Sequence, residues 1–137
     1  MSFAILDTSV YIGHWERGLH ADELAQVRRS FVVRHSAVVL SELRRGARTK
    51  AAVRVVDSLR RLAPVIWEPS REDWWSAAKL IRGIGDAQDW EVNERREFQN
   101  DALIALTALR HGAVVVTTNV TAFELLARET GVGIVPV

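Results

Sequence analysis

Cysteine is absent from this chain, which rules out disulfides and thiolate metal centres and leaves the redox compartment open. Long apolar runs are missing too, and no stretch approaches the length needed to cross a bilayer. The opening segment, Met1-Ser2-Phe3-Ala4-Ile5-Leu6, has no basic leader and too short an apolar run for a secretory signal, so a cytoplasmic protein is expected. Glycine (8) and proline (3) are scarce, and neither linker, repeat nor biased tract interrupts the sequence. An excess of one charge sign is also lacking: the formal net charge of +1 excludes a generic nucleic-acid coat. What remains is an ordinary globular composition over 137 residues, expected to form one domain spanning 1–137.

Of the 18 basic residues only Lys50 and Lys79 are not arginine. Arginine presents a planar fork suited to phosphate and carboxylate, although a GC-rich genome enriches it equally. Hydrophobic periodicity gives a strand at Phe3–Leu6, helices over Ser9–Arg17 and Ala21–Arg29, and a strand at Phe31–Val33. Helices follow from Val38 to Ala47 and from Ala51 to Leu62, then a strand at Val65–Trp67. Ser70 and Asp73 predict a capping box opening a helix that Gly83-Ile84-Gly85 ends. Asp86–Gln99 is polar and reads as a loop or short irregular helix. A strong apolar helix over Asp101–Arg110, a buried-type strand at Ala113–Val116, a helix over Thr121–Glu129 and a short strand at Gly133–Pro136 complete the chain. Strands alternating with helices indicate an α/β fold with a mostly parallel sheet.

In such sheets ligands gather beyond the carboxyl ends of the strands. Asp7 directly follows the first strand, and Thr117-Thr118-Asn119 directly follows Ala113–Val116. Glu42 and Asp101 sit on otherwise apolar helices. An acid beside a core-forming stripe needs a partner, because burying an unpaired carboxylate is costly. Several acids at one sheet edge repel one another unless a cation lies between them, and oxygen ligands without cysteine point to Mg²⁺ or Mn²⁺.

Leu6-Asp7-Thr8-Ser9, Ser41-Glu42-Leu43-Arg44-Arg45-Gly46-Ala47, Asp101-Ala102-Leu103-Ile104-Ala105 and Val116-Thr117-Thr118-Asn119 with Phe123-Glu124 resemble the motifs of a PIN domain, and among these the VapC-type toxin ribonucleases. The resemblance covers almost the whole chain. It implies a parallel-sheet α/β/α sandwich that hydrolyses RNA phosphodiester bonds with divalent metal held by Asp7, Glu42 and Asp101. It also implies a homodimer whose apolar surfaces hold the C-terminal segment of a cognate antitoxin. The fourth acidic position of the family is occupied here by Asn119 or Ala122, so a second tightly held metal is not expected. Thr8, Ser9, Asn100 and Thr118 are candidates for orienting the carboxylates.

Each of these residues has a plainer alternative. Asp7 is also a favoured helix cap, Glu42 a solvated partner for Arg45, Asp101 a complement to its helix dipole, and Asn119 a turn residue. Glu97 joins the site only if its helix starts early, so Glu94 and Glu97 are read as solvated, and the four histidines as structural. The five tryptophans are assigned to core and dimer interface ahead of base stacking. Arg44, Arg45 and Arg48 are either a solvated face or a track for the RNA backbone. Two other functions compete: a catalytically silent PIN-like RNA-binding or assembly module, and a metal-dependent phosphatase. The phosphatase is disfavoured because no second Asp follows Asp7 closely.

Overall fold

The structure, a computed structural model, describes residues 2–137. Five strands form one sheet in the order β3-β2-β1-β4-β5, with β1 at Phe3–Leu6, β2 at Val32–Ser36, β3 at Ile66–Trp67, β4 at Ala113–Thr117 and β5 at Ile134–Pro136. Every neighbouring pair is parallel, so the mostly parallel sheet expected from the sequence is parallel throughout. Seven helices cover it among the described residues: α1 Thr8–Arg17, α2 Ala21–Ser30, α3 Ala37–Gly46, α4 Lys50–Leu62, α5 Arg71–Gln88, α6 Val92–Arg110 and α7 Val120–Thr130. Because helices flank the sheet, the central strands are apolar without alternation, and Ala4, Ile5, Val115 and Val116 are fully buried. The chain leaves β1 toward β2 on one side and returns to β4 on the other, which makes the carboxyl ends of β1 and β4 a topological switch point.

The segment Asp86–Gln99 differs from its sequence reading. Helix α5 runs through Gly83 and Gly85 to Gln88, and α6 begins at Val92, so the expected loop is the tip of a helical hairpin. Glycine costs a helix about 1 kcal/mol relative to alanine, and packing outweighs that here. A Cβ on Gly85 would stand 2.9 Å from the guanidinium carbon of Arg95, whose side chain crosses that surface to reach Asp86 (3.0 Å) and the Trp90 carbonyl (2.9 Å). Asp89 takes the left-handed turn at φ 56°, and Glu91 with Glu94 forms a capping box that starts α6. Beyond the hairpin α6 becomes the buried spine of the molecule, with Ala102, Ile104, Ala105 and Ala108 wholly inaccessible. It packs on β4, α3, α5 and α7.

At the other edge Ser70 and Asp73 form the expected capping box (2.8 and 3.1 Å). Asp73 also accepts from Arg110 Nε at 3.0 Å, and Arg110 donates to the Glu68 carbonyl. His111 stacks on Trp67 with centroids 4.1 Å apart, closing the short edge strand β3 onto the end of α6.

Candidate active site at the switch point

The β1 backbone ends by donating from the Asp7 amide to the Val116 carbonyl (2.8 Å), so the carboxylate emerges at the seam between β1 and β4. Asp7 caps α1 and is 4% exposed. Its Oδ1 accepts from the Thr8 amide (2.8 Å), and its Oδ2 accepts from Ser9 Oγ (3.0 Å) and Thr117 Oγ1 (2.8 Å). The capping reading and the site reading of Asp7 therefore coexist in one side chain. Burial pushes its carboxyl above the ordinary range; the three hydrogen bonds oppose the shift, and the charge of Glu42 adds to it.

Glu42 arrives from α3, a helix fixed by Ser36 Oγ accepting from the amides of Val38 and Val39. Thr8 Oγ1 donates to Glu42 Oε1 at 2.7 Å, tying this second acid to the residue beside Asp7. Asp101 arrives from α6 and is half-buried. Burial first, then the charges of Asp7 and Glu42, raise its carboxyl to about 7. Among the described residues none of these three acids has an ion-pair partner.

Of the four residues expected to orient the carboxylates, Thr8 and Ser9 touch them directly. Thr118 is exposed, and the hydroxyl that reaches Asp7 belongs to Thr117, which also accepts from the Asn119 amide at 2.9 Å. Strand β4 extends through Thr117, paired with Pro136, whereas the sequence reading stopped it at Val116. Asn100 lines a neighbouring cleft with Ser41, Arg45 and Trp74. Asn119 stands at the start of α7 without a side-chain capping bond. It lines an open cleft of about 350 Å³ with Asp101, Glu94, Glu97, Trp90 and Phe98. The early start of α6 is what brings Glu97 to that cleft, one turn before Asp101. The available signal was the Glu91–Glu94 spacing of a capping box. The three arginines divide: Arg44 pairs with Asp57 of α4 (3.4 Å), Arg45 lines the Trp74 cleft, and Arg48 is exposed beyond α3.

The donor set suits a hard divalent cation by its chemistry: carboxylate oxygens, buried at Asp7 and half-buried at Glu42 and Asp101, with no ion-pair partner among the described residues. Among the described residues no three His, Cys, Asp or Glu side chains draw close enough to cage a metal by themselves. Mg²⁺ does not require such a cage, since it dehydrates reluctantly and is usually held by one or two carboxylates together with substrate phosphates.

Comparison with known proteins gives a consistent fold. A family profile described as PIN domain matches residues 4–129. The chain is similar in structure to VapBC-1 from nontypeable Haemophilus influenzae, with a TM-score of 0.72 at 20% identity, covering 98% of this chain and 97% of that one. It is similar to VapBC2 from Rickettsia felis, bound to a DNA fragment from their promoter (TM-score 0.68, 20% identity, 98% of each chain). DNA-bound VapBC from Salmonella typhimurium gives a TM-score of 0.68 at 24% identity, covering 99% of this chain and 98% of that one. No curated protein matches the chain.

Proposed function

We propose that this chain, which belongs to the PIN-domain family, is a Mg²⁺- or Mn²⁺-dependent endoribonuclease acting as the toxin of a toxin–antitoxin pair. PIN domains are generally nucleases, and the observation that carries the reading is the gathering of Asp7, Glu42 and Asp101 at the switch point with only one another's negative charge for company. Such an arrangement costs stability in the free protein and gains from a cation and a phosphate. When bound, a divalent cation supplies charge to the scissile phosphate and acidity to its water. Asp7, fixed by three donors, Glu42, held by Thr8, and Asp101 on the rigid spine would hold it. Asn119 offers an oxygen without charge, so a second cation is held weakly until RNA phosphate arrives.

The partner reading rests on an apolar groove of about 410 Å³ beside Glu42. Ile12 and Trp15 of α1 (each 41% exposed) and Val55 of α4 (45%) line it with Leu43 and Ala47. An antitoxin segment lying there reaches the acids at one end, where an arginine of the antitoxin would neutralise them. Exposed Leu62 (74%) and Trp75 (68%) are apolar surface suited to a homodimer. No helix among the described residues is long and apolar enough to cross a membrane.

The test is RNA cleavage by the purified protein with Mn²⁺ and with chelator, beside Asp7→Asn. Wild type cuts only with metal, Asp7→Asn does not cut, and its far-UV spectrum is unchanged. Near-normal cleavage by Asp7→Asn overturns the carboxylate site. Intact RNA with wild type and metal favours the silent RNA-binding module, which the neutral Asn119 supports; hydrolysis of a small phosphoester alone points to a phosphatase.

A further inference from the structure

Between α3 and α6, on other residues of α3 than those that line the groove, lies a second cleft of about 360 Å³, within the size range of small-ligand sites. Its polar walls are Ser41 and Arg45 of α3, Glu68 and Asn100, and Trp74 of α5 closes it with about half its surface exposed. Ser41 and Asn100 immediately precede Glu42 and Asp101, and α3 packs against α6, so this cleft adjoins the candidate active site. Arg45 has no ion-pair partner among the described residues, in contrast to Arg44. With Glu68 also on its wall, the cleft is lined by one basic and one acidic residue. That balance does not suit phosphate; it suits a neutral heterocycle that both donates and accepts hydrogen bonds.

We propose that this cleft seats one unstacked base of single-stranded RNA beside the scissile phosphate and sets the sequence preference of the cut. The inference rests on the ribonuclease reading above. Trp74 is the stacking face, and Val38, Pro69 and Leu103 supply apolar walls. Arg45, Asn100 and Glu68 read the base edge, since a guanidinium, an amide and a carboxylate held in one arrangement match the donors and acceptors of one base and leave those of the others unpaired. A second copy of the chain is a poorer occupant: acidic residues are depleted at the cores of protein–protein interfaces, and Glu68 stands on the wall of this concavity.

The experiment digests random-sequence single-stranded RNA with the intact protein and Mn²⁺ and sequences the new ends. Wild type prefers one base at a fixed position from the cut. Trp74→Ala loses that preference and cleaves about 5- to 150-fold more slowly at subsaturating RNA, the span expected for one lost base–aromatic stack. Trp74→Phe retains most of the rate and the preference, and Arg45→Ala relaxes the preference while still cutting. Identical cut positions and rates for wild type and Trp74→Ala overturn the base site while leaving the ribonuclease intact. Dissociation of a dimer by Trp74→Ala in light scattering, with an unchanged cut pattern, reassigns the cleft to a contact between copies and likewise overturns it. No cutting by wild type defeats the ribonuclease reading itself, and this inference with it.

Discussion

Asp101→Asn tests the electrostatics of the site without any assumption about RNA. In the metal-free folded protein the Asp101 carboxyl titrates near 7, raised by burial and by Asp7 and Glu42 from an ordinary 3.8. Between those two values the folded state keeps a proton that the unfolded chain has released. Stability therefore falls as pH rises from about 4 to about 7 and levels off above it. At about 1.4 kcal/mol per pH unit, the full loss is about 4 kcal/mol. The neutral amide of the variant has the same shape and no charge to repel. In chelator at pH 8 it is more stable than wild type by up to that amount, a rise of up to about 14 °C in melting temperature. At pH 4 the two proteins melt together. The pH dependence remaining in the variant combines Asp7, whose raised carboxyl acts in the same direction, with Asp86, His35 and His111, whose lowered values act in the opposite one. Calorimetry of both proteins at pH 4, 6, 7 and 8 makes the measurement. Parallel melting curves at all four values would falsify the claim that Asp101 is a half-buried, unpaired carboxylate.

Asn119→Asp adds a full charge at nearly constant volume beside Asp101. Its Mn²⁺-induced stabilisation, which grows as RT ln(1 + [L]/Kd), should exceed that of wild type and of Asn119→Ala; equal melting-temperature titrations of all three place Asn119 outside the metal site. Arg110→Ala removes the bond to buried Asp73 and the one to the Glu68 carbonyl, lowering stability by about 1–3 kcal/mol in urea denaturation. A loss below about 0.5 kcal/mol would place this contact with ordinary surface pairs.

The parallel sheet was legible because its strands are short apolar runs separated by helical periodicity, and Asp7 because it stops the first of them. Glu42 and Asp101 stood out as acids within apolar stripes. What local pattern could not reveal was the helical hairpin at Asp86–Gln99. Two glycines and a dense run of charge look like a loop until Arg95 is seen lying across Gly85. The loop reading of that segment is also why Glu97, which joins the site only if α6 starts early, reads as solvated although it lines the cleft with Asp101. Thr117 was passed over for Thr118 for a different reason. A strand buried on both faces has no alternation to mark which of two adjacent threonines points to the site. The arginines after Glu42 read as one group, yet ion pairing with Asp57 singles out Arg44, a partner thirteen positions ahead that only the packing of α3 on α4 supplies.

The central claim is that these acids hold a divalent cation, and a crystal of the protein grown with Mn²⁺ tests it most directly. Data collected at the manganese absorption edge locate the ion without reference to activity. The account predicts one anomalous peak within coordinating distance, about 2.0–2.3 Å, of carboxylate oxygens of Asp7 and Asp101, with Glu42 in that shell or one water beyond it. The peak should vanish in Asp101→Asn crystals of the same form. Manganese bound only elsewhere, or none at the carboxyl ends of β1 and β4 at millimolar concentration and pH 8, contradicts it.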